Sequence, residues 1–136
     1  MNRIRWTVVL LALGGYGISQ LSSVSAFGSY REQVVRQFKF VNNKVSCAFC
    51  HSSPGGGDAR NSFGQLVETK LGSGDIGKAL FEAISAKEDS DGDGYTDMLE
   101  VFAGTFPGDK NSNPIITVAA LEAAFTKAGG VNQYKP

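Results

Sequence analysis

Residues 47–51 read Cys47-Ala48-Phe49-Cys50-His51, and no other stretch constrains the fold as tightly. The chain has 2 cysteines and 1 histidine, and all of them sit in these positions. Two thiols three positions apart, followed at once by an imidazole, form the spacing at which a haem is attached covalently. Each thiol adds across one vinyl group to give a thioether, and the imidazole nitrogen reaches the iron. A haem would add a large apolar body for a small domain with a limited core to pack around. The same residues have other uses. A C-x-x-C pair serves as a thioredoxin-type dithiol when a strand precedes it and a helix comes after it. It supplies half of a zinc site, although zinc usually takes four Cys or His ligands and only three such residues exist here. In an exported chain it can also close a plain disulfide.

Export is expected from the first residues. Arg3 and Arg5 form a basic start, Trp6 to Leu13 is an unbroken apolar run extended thinly to Ile18, and Val24-Ser25-Ala26 ends a polar stretch with a small-residue cleavage pattern. Residues 1–26 therefore read as a cleaved signal peptide, with Phe27 as the first mature residue. The apolar run is too short and too rich in glycine to supply the ~20 residues that cross a bilayer, so no transmembrane span is expected after cleavage. The expected location is the periplasm or another exported compartment, which agrees with haem attachment outside the bacterial cytoplasm. The remainder suffices for one small domain. Its charge is uneven: residues 27–80 carry a net +3 and residues 81–136 a net −5. Nothing in this balance suggests nucleic acid, which would need a basic face.

The acidic excess has a local origin. Residues 89–100 read Asp89-Ser90-Asp91-Gly92-Asp93-Gly94-Tyr95-Thr96-Asp97-Met98-Leu99-Glu100. This run matches the EF-hand calcium loop D-x-[DN]-x-[DN]-G-x5-E throughout. Asp89, Asp91 and Asp93 place carboxylates at loop positions 1, 3 and 5, and Gly94 permits the sharp turn. Tyr95 offers its backbone carbonyl, Asp97 acts directly or through water, and Glu100 closes the shell as a bidentate ligand. Five carboxylates this close repel one another unless a cation neutralises them. Thr96 departs from the pattern, because paired EF-hands usually carry Ile, Val or Leu at that position. The next segment, Val101 to Asp109 with Gly104-Thr105-Phe106-Pro107, is similar to bacterial calcium repeats of the thrombospondin type 3 kind. That likeness implies a structural calcium site, not a switch. Asp109, Asn111 and Asn113 are candidates for further oxygens, although Asx residues at this spacing are commonly turn formers.

Hydrophobic spacing organises the rest into helices. Tyr30, Val34, Val35 and Phe38 predict a helix over 29–40, and Phe63, Leu66, Val67 and Leu71 predict one over 61–71. Ile76, Ala79, Leu80, Ala83 and Ile84 give the strongest pattern, over 75–88, where the incoming EF-hand helix belongs. A short exiting helix from Thr96 to Gly104 and a last one over 117–128 complete the set. Ser52 to Asp58 reads as a flexible loop whose glycines would let backbone lie close to a haem edge. Residues 129–136 read as a flexible tail. The fold class is all-α: residues 27–128 as one small haem domain, with one EF-hand-like helix-loop-helix.

The first helix, the C-x-x-C-H motif and the helices after it resemble a small monohaem c-type cytochrome. The resemblance implies that Cys47 and Cys50 carry the thioethers of haem c and that His51 is the proximal ligand. Cytochromes of this type often use a distal methionine, and Met98 is the one methionine left after export. Met98 and Phe102, one turn apart, are expected to face the haem together. The alternatives for the sixth position are a lysine, the α-amino group, an asparagine, water or a histidine lent by a partner. The function implied is single-electron transfer between protein redox partners. Two alternatives stand beside it: a haem-binding subunit of a membrane-associated electron-transfer complex, and an open-site haem protein (a peroxidase or gas binder) in which Glu68 or Glu82 would move protons.

Overall fold

The computed structural model describes residues 25–41, 44–72 and 74–136. Almost all of the expected signal segment lies outside the described residues. Five α-helices are present among them: α1 (Ser25–Phe38), α2 (Ser62–Leu71), α3 (Ile76–Ser85), α4 (Asp97–Ala103) and α5 (Val118–Lys127). Two 3-10 turns, Cys47–Phe49 and Gly130–Tyr134, join them. The described residues hold no strand, only an isolated antiparallel bridge between His51 and Arg60. The fold is all-α.

Local chemistry sets the helix limits. Asn61, Asp75 and Thr117 each accept a hydrogen bond from the third amide ahead, at 2.8, 3.0 and 3.4 Å. Each thereby satisfies one of the amides that a helix start leaves free. α1 stops earlier than its apolar spacing suggests. Lys39 turns left-handed at φ 60, and the Phe40 amide donates back to Val35 O at 3.1 Å, a helix-ending reversal. The reversal carries Phe40 back onto the core instead of extending the helix.

α3 is the central element. Ala79, Leu80, Ala83 and Ile84 are all 0% exposed, and α3 packs against α1, α2, α4 and the Gly130–Tyr134 turn. Its apolar stripe serves several neighbours at once, which explains why this segment shows the clearest periodicity in the sequence. α4 and α5 pack together on the side of the carboxylate loop.

A second packing centre lies inside the Cys-x-x-Cys turn. The ring of Phe49 meets those of Phe38, Phe40, Phe63 and Phe106 at centroid distances of 6.0, 5.5, 5.4 and 5.7 Å. Three of these contacts are edge-on, an arrangement worth about 0.5–1.5 kcal/mol beyond burial. The motif's own interior residue thus nails the motif to the core.

The expectation of a flexible tail is corrected. Residues Gly130–Tyr134 form a 3-10 turn, Tyr134 is buried against Phe38 with ring centroids 5.4 Å apart, and Gln37 Nε2 donates to both Gly77 O and Tyr134 O at 2.9 Å. The Gly129-Gly130 pair ends α5 but redirects the chain onto α1. A short polar tail with a single aromatic gives no periodicity from which that docking could be read.

Candidate functional site

The C-x-x-C-H segment is a tight turn. The amides of Cys50 and His51 both donate to Cys47 O, at 3.1 and 2.9 Å. Both cysteines are unpaired thiols. Asn61 holds the turn from the other side. Its amide donates to Cys50 O at 3.1 Å and its Nδ2 to Ala48 O at 2.9 Å, while its Oδ1 caps α2. α2 then lies so close to the motif that a Cβ on Gly64 would collide with Cys50 O. The glycine loop folds back on the motif as well. Gly56 has φ 70, and an added Cβ there would come within 3.2 Å of Cys47 Cβ.

The His51 ring is oriented. Its Nδ1 lies 2.9 Å from Asp58 O. A carbonyl only accepts, so Nδ1 carries the proton and Nε2 keeps its lone pair free for a metal. A backbone carbonyl behind a ligating imidazole is the usual way such a ring is fixed. Nothing in the sequence marks Asp58 for this role, because the contact depends on the shape of the loop after His51.

His51, Cys47 and Cys50 open onto a cleft of about 140 Å³, partly open to solvent, walled by α1, α2 and α3. Val34, Val67, Leu71, Ile76 and Leu80 make much of the wall. At the rim Arg60 Nη1 pairs with Glu68 Oε1 at 3.1 Å. The Cys50 thiol is pushed up to about 12, chiefly by burial, with Arg60 pulling it down and Cys47 pushing it up. Dithiols that exchange electrons carry a lowered thiol pKa, so this cysteine is poorly suited to that chemistry.

The second cluster is the loop between α3 and α4. Carboxylate oxygens of Asp89, Asp91 and Asp93 lie within 4.8 Å of one another. Asp89 is fixed by three amides: Gly92 and Asp93 donate to Oδ1 at 2.8 and 3.2 Å, and Gly94 donates to Oδ2 at 2.9 Å. Tyr95 N donates to Asp93 Oδ1 at 2.8 Å, and the Tyr95 hydroxyl donates to Ile116 O at 2.8 Å. Among the described residues, the buried side-chain oxygens without a hydrogen-bond partner are Asp91 Oδ2, Asp93 Oδ2, Thr96 Oγ1 and both oxygens of Glu100. Every one belongs to this loop. Glu100 is 0% exposed, and burial together with Asp91, Asp93, Asp97 and Asp89 pushes its carboxyl up to about 9. Burial and the neighbouring carboxylates also raise Asp91. Buried acceptors without donors call for a cation, and an all-oxygen set with a buried glutamate suits calcium.

Asp97 stands outside the triad: its Oδ1 accepts from Ser90 N at 2.9 Å and its Oδ2 from Ser90 Oγ at 2.8 Å. It stitches the loop's two ends together, and burial pushes it up to about 6 despite those bonds. Met98 does not line the cleft. It packs half-buried on the core from α4, and Phe102, one turn on, faces Phe125 of α5 at 5.3 Å. Residues four apart share a helix face, and Phe102 on that face meets α5. Comparison with known families, curated proteins and solved structures returned no match.

Proposed function

We propose that this chain is an exported monohaem c-type cytochrome that passes single electrons between protein partners, with a structural calcium site. The observation that carries the reading is the His51 ring, held through Nδ1 by Asp58 O at 2.9 Å at the mouth of an apolar cleft that both thiols share. Cys47 and Cys50 would hold haem c by thioethers, and His51 Nε2 would bind the iron. When bound, the group supplies a one-electron couple. The chain's part is to orient His51, exclude water with Val34, Val67 and Leu80, and keep the attachment turn rigid through Asn61 and Phe49. Asp89, Asp91, Asp93 and Glu100 would hold calcium.

Two features favour haem over a dithiol. No strand precedes the turn among the described residues, and Cys50 is shifted away from thiolate. Expression with export in bacteria equipped for haem attachment tests the reading. The expected product has the mass of the chain plus one haem and a reversible one-electron potential. Cys47→Ser with Cys50→Ser should abolish covalent attachment. A wild-type product without haem in those cells would end the proposal.

A further inference from the structure

Four consecutive carbonyls of the attachment turn converge on one residue outside the motif. Asn61 N donates to Cys50 O at 3.1 Å and Asn61 Nδ2 to Ala48 O at 2.9 Å, with Phe49 O and His51 O each 3.4 Å from the same side-chain nitrogen. The side-chain oxygen is committed as well, because Oδ1 accepts from Gly64 N at 2.8 Å. A carboxamide has one acceptor oxygen and one donor nitrogen, so these partners fix which way the Asn61 amide faces. The peptide planes between Ala48 and His51 are fixed with it. Those planes set the directions in which the Cys50 and His51 side chains leave the backbone.

The amide is itself held from behind. A Cβ built on Gly108 would lie within 2.6 Å of Asn61 Cγ, Nδ2 and Oδ1 alike. Near-equal distances to the three atoms place it over the flat face of the amide. Gly108 is not among the glycines with positive φ, so what the position requires is space. Its neighbours anchor the segment. Phe106 meets Phe49 with ring centroids 5.7 Å apart, Pro107 is fully buried, and Asp109 N closes a turn onto Phe106 O at 3.1 Å. Neither Asn61 nor Gly108 lines the cleft, so both act on the turn from outside it.

We propose that Asn61, seated against Gly108, is a positioning residue for His51: it aims the ring by holding the carbonyls of residues 48–51, and Gly108 keeps the Asn61 amide in place. This inference rests on the cytochrome reading and adds to it two residues outside both the motif and the cleft. Asp58 O sets the rotation of the His51 ring, whereas Asn61 sets the backbone from which the ring projects. Outer partners of this kind tune a metal through the orientation of its ligand.

The test measures the reduction potential and the urea midpoint of the purified holoprotein, for Asn61→Ser, Gly108→Ala and the double variant. Serine retains an α2 cap but is too short to reach the carbonyls of the turn. The expected result is a potential shifted in the same direction by each single variant and shifted no further by the double variant than by Asn61→Ser, because groups in contact are non-additive. An unchanged potential in Asn61→Ser overturns the inference, since a purely structural role moves the urea midpoint alone. Shifts that add in the double variant overturn it too, because Gly108 then acts apart from Asn61. Should Gly108→Ala fail to fold, Asn61→Ser removes the amide that the new methyl group meets. Recovery of folding in the double variant then supports the inference, and continued failure overturns it. Each of these failures is read on a protein that carries covalent haem, and so leaves the cytochrome reading standing. A wild-type product without haem overturns both.

Discussion

The cleft beside His51 and the loop at 89–100 flank opposite ends of α3 but are stabilised in opposite ways. Around the cleft, the polar groups of the motif are paired: Cys47 O, Cys50 O and Ala48 O each accept, and His51 Nδ1 has Asp58 O. Packing around Phe49 holds the rest. In the loop, five side-chain oxygens are buried without a partner, and Glu100 is pushed up to about 9 by burial and its neighbours. An apolar cleft can be completed by the fold alone, since its shape depends on contacts the chain itself provides. A cluster of carboxylates cannot, since its members repel until a cation joins them. One end of α3 is therefore set by packing and the other by charge.

The largest expected effect tests the packed end. Phe49→Ala should lower stability by about 3–5 kcal/mol, equally with calcium and with chelator, as read from urea midpoints. A cost that changes with calcium would show that the two ends are not independent. Calcium itself should come next. At a hundredfold excess over its Kd it should add about 2.7 kcal/mol, and Glu100→Gln should remove most of that gain while making the cation-free protein more stable. A calcium gain that survives Glu100→Gln would take Glu100 out of the binding set.

The loop also predicts a pH signature. Glu100 is raised from 4.5 to about 9, so between those values the folded state keeps a proton that the unfolded chain releases. Unfolding then releases a proton, and stability of the cation-free protein should fall as pH rises across that window, by at most about 1.4 kcal/mol per pH unit for one group. Asp97, raised from 3.8 to about 6, adds a slope of the same sign over its own lower window. Calcium takes the place of the proton and should flatten the curve, which thermal melts from about pH 4 to pH 9 with and without the ion would show. The smallest effect returns to the packed end. Asn61→Ala removes the α2 cap and should cost about 1 kcal/mol, with no dependence on calcium.

Much of both sites is legible in the sequence because it is local. The C-x-x-C-H spacing places its groups within one turn of backbone, and the D-x-D-x-D-G spacing does the same for three carboxylates. Capping residues Asn61, Asp75 and Thr117 act over three positions, and the stripe on α3 repeats along the whole helix. The surroundings of Asp97 and Met98 escape such a reading for a different reason. Each lies on the short α4, and a helix of seven residues fixes which side chains share a face but not what that face meets. Ser90, seven positions back along the loop, captures Asp97; Phe125, on another helix, captures the Phe102 face.

The sequence by itself determined the chemistry this protein offers: two thiols and an imidazole in one turn, a carboxylate loop of calcium-binding pattern, and helices set by caps and apolar stripes. These arise from covalent spacing and from hydrogen bonds a few residues long, which the chain carries wherever it folds. Only the tertiary structure decided that Asp58 O holds His51, that Met98 lies outside the cleft lining, that Asp97 braces Ser90, and that Tyr134 docks on Phe38. Those contacts join residues distant in sequence or depend on the path of a loop, so they exist only once the helices have packed.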